Sequence, residues 1–272
     1  MLNLQKKKIL PELQKHKIFN ELSEYISFYD FLCNSDGIYQ DFLLSNKKPL
    51  FLDSLIIESM KDTVESIKCL LQNGKVNDAY TLTRKYYDLV IINIFEILIL
   101  EDLGLDKYNS ENQIKLWVDG KEKLPQYKDM IIRIKNSKTL KNVNKILDLD
   151  NYYKKIKDRC NNHVHYNLLY CLRLNNIDVL NEYPKHTLKF LDELSDDIRD
   201  IFIMHYVMLF TLKGYCMSSS DYADSLACGI TPEEGSQYYI AYFVQKVFNE
   251  IIKKHRMDLA LELQSNTYMK LE

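Results

Sequence analysis

Only 7 glycines and 5 prolines punctuate the 272 residues of this chain. These residues are the usual helix stops and turn formers, so their scarcity leaves long stretches with nothing to interrupt a helix. The length suits one large domain or two small ones. An apolar fraction of 46% can fill such a core, and 20 tyrosines and 11 phenylalanines supply bulky contacts for it. The expectation is an all-α protein built as a helical bundle.

Apolar spacing divides the bundle. Leu10, Leu13, Ile18, Phe19, Leu22 and Ile26 recur at helical intervals over 9–33, ahead of an SDG break at 35–37. A second helix fits 50–72. Asn73-Gly74 then turns the chain into a third helix over 78–103, capped by Gly104, so that the two form an antiparallel hairpin. Short helices fit 111–118, 125–136 and 139–147, and one longer helix covers 150–172. After a connector at 175–184, a long helix runs from Pro184 to Met217 and a short one stops at Gly229. The last helix opens on a capping box, with Thr231 as N-cap, Pro232 at N1 and Glu234 at N3. The segments group as 1–49, 50–174 and 175–272, read as one continuous domain.

Several function classes find no support. The chain has neither GxGxxG nor GxxxxGK[ST]. Its cysteines (33, 69, 160, 171, 216 and 228) contain no CxxC pair and no metal-ligand spacing, which suits reduced thiols in a cytoplasm. The opening MLNLQKKKILPEL is charged and does not read as a secretory leader. The most apolar runs, 89–100 and 201–212, are interrupted by Glu96 and His205 and fall short of the roughly 18 residues of a spanning helix, so no membrane partner is expected.

A net charge of −2 hides an asymmetry. Residues 121–159 hold twelve Lys/Arg against five Asp/Glu, while 178–272 hold nine against fifteen. The basic segment leads into DRCNNHVHYN, residues 158–167, which gathers two of the six histidines beside an arginine and two asparagines. At about 100° per residue, Tyr152, Ile156, Cys160, Val164 and Leu168 form an apolar face. Arg159, Asn162 and His165 then lie along one polar ridge at i, i+3 and i+6, with Asp158, Asn161 and Tyr166 on the same arc. His163 falls at the apolar border and suits packing. A guanidinium offers fixed donors to phosphate, and an imidazole moves protons near neutral pH. His163 and His165 point about 200° apart on such a helix, so the motif alone does not converge on a metal. No metal and no cofactor is expected. Arg84 and Asp88 on the third helix form an i, i+4 ion pair, or border the same cleft if that helix packs beside the motif. Glu96 needs a partner if buried.

Arg159, five intervening residues and His165 resemble the Arg–(four to six residues)–His signature of the HEPN superfamily, late on a helix that follows a helical hairpin. The resemblance covers about residues 50–172. It implies a HEPN-like core with additional C-terminal helices. It also implies a metal-independent endoribonuclease of bacterial defence or toxin–antitoxin systems, acting on RNA such as tRNA or mRNA. By the same resemblance the protein is a homodimer whose two motifs share one cleft, with an antitoxin or defence-system protein as partner. His165 would then act as general base or acid, Arg159 would stabilise charge on the phosphate, and Asn162 would hold the pair. Asn161, His163, Tyr166, Arg84 and Asp88 would contact substrate. Where the family usually has Asn, Asp or His after the arginine, this chain has Cys160. The alternative is a catalytically inactive HEPN-like dimeric scaffold that binds protein or nucleotide.

Overall fold

The hairpin expected at Asn73-Gly74 organises the protein. In the computed structural model, which describes residues 8–35, 52–103 and 113–272, Gly74 takes a left-handed conformation (φ 67°). A β-carbon there would come within 2.7 Å of Ile177 and 2.8 Å of Ile9, so glycine serves both the turn and the close packing around it.

The elements in chain order are α1 (Pro11–Gln14), α2 (Ile18–Cys33), α3 (Leu52–Gln72), α4 (Val76–Leu103), α5 (Gln113–Val118), α6 (Tyr127–Lys135) and α7 (Lys141–Leu147). A π-helical turn, Leu149–Tyr153, leads into α8 (Lys154–Val164), followed by α9 (Leu169–Arg173), α10 (Ile177–Glu182) and α11 (Pro184–Leu212). After a 3₁₀ turn at Gly214–Met217 come α12 (Asp221–Ala227), α13 (Tyr242–Val247, extended through a π turn at Phe248–Ile252) and α14 (Met257–Asn266). Among the described residues there is no β-strand; one isolated bridge joins Ser218 and Ile240. The protein is an all-α helical bundle. No described helix is long and apolar enough to cross a membrane.

Helix α4 is the hub, packing against α3, α6, α8 and α11. Its buried Tyr80, Tyr86, Tyr87, Val90, Ile91, Ile94 and Ile97 surround much of its circumference, which suits a helix with neighbours on several sides. One core cluster runs from Ile9 to Leu271 and draws on all three sequence segments. In α11 every residue from Ile201 to Phe210 is buried, so this apolar run is a central core helix.

Several expected elements break where tertiary contacts outweigh local pattern. The helix expected over 9–33 is interrupted at Lys15, where the Lys15 and His16 amides turn back on Pro11 and Leu13. The long helix ends at Leu212 rather than Met217. The connector at 175–184 contains α10, capped by the Asn176 side chain, which accepts from the Asp178 and Val179 amides. The capping box at Thr231, Pro232 and Glu234 starts no α-helix. Gly235 takes φ 80°, a 3₁₀ turn follows, and α13 begins only at Tyr242. The Glu233 carbonyl accepts from the Ser236 hydroxyl and its carboxylate from the Tyr239 hydroxyl, folding this stretch as a turn. Gly104, most of the SDG break, and residues 50–51 and 111–112 lie outside the described residues.

Candidate functional site

The helix expected over 150–172 is three pieces. The α8 core face is Tyr153, Ile156, Cys160 and His163, all buried. This set is rotated from the expected face: Tyr152 and Leu168, assigned inward, are exposed, and Tyr152 donates to Asp200 at 2.5 Å. The π turn at Leu149–Tyr153 resets the register before the motif. Helix α8 then stops at Val164. His165 is its C-cap, and Tyr166 takes the left-handed conformation (φ 49°) that reverses the chain. The Asn167 amide and the Cys171 thiol donate to the Asn162 carbonyl, and the Asn162 side chain accepts from Asn167. Asn162 therefore builds the reversal, and Arg159, Asn162 and His165 do not form a continuous helical ridge.

Arg159 turns toward α11. Its Nε and Nη2 donate to the two oxygens of Asp197 at 2.8 and 2.6 Å, and Nη1 donates to Glu193 at 3.0 Å. Asp197 is buried and the arginine side chain is 31% exposed. Burial works against the charge on Arg159, but the bonds and charges of Asp197 and Glu193 outweigh it and raise its pKa further above its ordinary value. Asp197 and Glu193 were not among the sequence candidates. The available signal was acid on a strongly apolar helix: Asp197 lies between Leu194 and Ile198, both buried.

His163 is fully buried. Its ring stacks on Tyr80 at 3.8 Å, nearly parallel, and Tyr170 meets it edge-on. Its Nδ1 bonds the Asn77 side-chain oxygen at 2.9 Å. Burial, then the charge of Arg159, lowers its pKa to about 4. This matches the packing role expected of it and removes it from any substrate-contacting set.

His165 and Tyr166 are exposed, and beside them the chain presents Leu168, Leu169 and Leu172, the last two 68% and 60% exposed. An apolar group of this kind next to a polar loop is characteristic of an interaction surface.

Arg84 and Asp88 lie on the hub helix α4. They form their i, i+4 ion pair, and α4 packs along α8, where Arg84 Nε donates to the Asn161 side chain at 3.1 Å. The Arg84 guanidinium lies 5.3 Å from the Tyr127 ring centre, and Lys157 lies 4.3 Å from that same centre. The second cationic group of the motif region is therefore Arg84 with Lys157, and exposed Lys154, one turn before Lys157 on α8, lies on the same side. Glu96 is buried on α4, away from solvent. Among the described residues, no three His, Cys, Asp or Glu side chains are grouped as metal ligands.

Comparisons with protein-family models, with characterised proteins and with solved structures find no match to this chain.

Proposed function

We propose that this chain is a HEPN-like dimeric scaffold that binds RNA or a nucleotide through phosphate contacts and does not cleave it. The observation that carries this reading is the Arg159 clamp. A catalytic arginine must turn its donors to the charge developing on a scissile phosphate. Here Nε and both Nη atoms already donate to Asp197 and Glu193. A phosphate would have to displace a buried bidentate carboxylate and would meet two negative groups. The binding face is instead the Lys154 and Lys157 side of α8, and the exposed Leu168, Leu169 and Leu172 provide the surface for a second copy.

The catalytic reading has one observation in its favour: His165 is exposed at the end of α8, on the helix whose Asn161 engages Arg84. Incubating purified protein with total RNA, alongside a His165→Ala variant, separates the two. The scaffold reading expects a salt-sensitive mobility shift without new fragments. Cleavage by the native chain that His165→Ala abolishes would replace it with the ribonuclease.

A further inference from the structure

A chain of buried polar groups crosses the core away from the motif. Tyr86 on α4 and Tyr29 on α2 share a hydroxyl–hydroxyl bond of 2.6 Å. The Tyr29 hydroxyl also meets His205 Nδ1, on α11, at 3.1 Å. His205 Nε2 meets the Asn93 side-chain oxygen on α4 at 2.9 Å. Asn93 Nδ2 donates to Asp53 on α3 at 2.8 Å, and Lys213, just past α11, donates to the other Asp53 oxygen at 2.5 Å. All six side chains are buried, and the four longest helices each contribute to the chain.

The direction of every bond follows from donor chemistry. An ionised Asp53 only accepts, so Asn93 turns its NH2 to it and offers its oxygen to His205. His205 therefore carries its proton on Nε2 and accepts at Nδ1 from Tyr29. Tyr29, having donated, accepts from Tyr86. A second proton on His205 has no acceptor in this order. Tyr29 would have to reverse and donate to Tyr86, leaving the Tyr86 hydroxyl hydrogen buried and unpaired, beside a newly buried charge.

We propose that this chain is a proton-sensitive lock on the helix core, and that protonating His205 releases α2, α3, α4 and α11 together. The groups around His205 support it. Tyr29 faces it from α2, with Tyr86 of α4 behind that hydroxyl, and Asn93 faces it from α4, with Glu96 farther along that helix; Asp53 of α3 lies behind Asn93, paired to Lys213 beyond α11. The Asp53 charge favours protonation, but burial outweighs it and lowers the His205 pKa to about 3. An unfolded histidine titrates near about 6.5. The lock is therefore fully present above that value and is lost as pH falls toward 3.

His205→Gln keeps an acceptor and a donor but cannot titrate. Urea unfolding of both proteins from pH 7.5 to pH 4 tests the lock. The folding constant of the native chain should fall relative to His205→Gln by about tenfold per pH unit below about pH 6. Parallel pH curves overturn the proposal. Hydrogen exchange and ring-nitrogen NMR on the native chain give a second reading that does not depend on the variant. Amides of the four helices should lose protection together on acidification, while His205 in the folded protein stays neutral with its proton on Nε2 at pH 5. A charged His205 ring in the folded protein at pH 5, or loss of protection confined to one helix, also overturns it.

Discussion

Asn77 holds His163 from two sides. Its side-chain oxygen lies 2.9 Å from His163 Nδ1, and its amide nitrogen donates to the His163 carbonyl at 3.4 Å. The bonds fix the ring in the Nδ1-protonated form and tie the last turn of α8 to the start of α4. Removing the ring leaves a cavity against Tyr80 and strips Asn77 of a partner. His163→Ala should lower unfolding free energy by about 2–4 kcal/mol. His165→Ala, at an exposed position, should stay within about 0.5 kcal/mol. Urea melts of the two variants check the contrast.

His163 should also titrate abnormally. Its folded pKa of about 4 lies below the unfolded value of about 6.5. Its contribution to stability is complete above about pH 6.5 and fades as pH falls toward 4. Ring-nitrogen NMR at pH 5.5 should find His163 neutral.

The Arg159 clamp should behave as a structural tie between α8 and α11. Arg159→Ala leaves Asp197 buried with its bidentate partner gone and should cost about 2–4 kcal/mol, below the range for a fully buried pair because the arginine is partly exposed. Replacing both partners with apolar groups, Arg159→Met with Asp197→Leu, should recover much of that loss. A double-mutant cycle by chemical unfolding measures the coupling, and additive losses would remove the tie.

The exposed leucines give the proposed dimer a direct test. Light scattering at micromolar concentration should return twice the chain mass for the native protein. Leu169→Asp with Leu172→Asp should return the monomer mass with unchanged helical content by circular dichroism. A native monomer would remove the dimer from the proposed function.

Phosphate binding, if it follows the basic face, should depend on Lys154 and Lys157 more than on Arg159. Charge reversal of both lysines should weaken RNA retention at least tenfold and flatten its salt dependence. Filter binding at several salt concentrations measures both.

Periodicity and breaker content were enough to establish an all-α bundle and the Asn73-Gly74 hairpin, because burying apolar stripes at helical spacing leaves little choice of element. They also separated a packed His163 from an outward His165. The helical wheel failed where it assumed one unbroken helix over 150–172. A π turn ending at Tyr153 and a left-handed Tyr166 after Val164 shift the register at both ends, and neither leaves a mark in apolar spacing. The capping box at Thr231 failed for a related reason: its residue types suit a helix start, but Gly235 and the Glu233 contacts favour a turn. The direction of Arg159 was beyond sequence altogether. Its partners lie 34 and 38 residues away on α11, and only the packing of that helix beside α8 decides that two carboxylates, rather than solvent, receive the guanidinium.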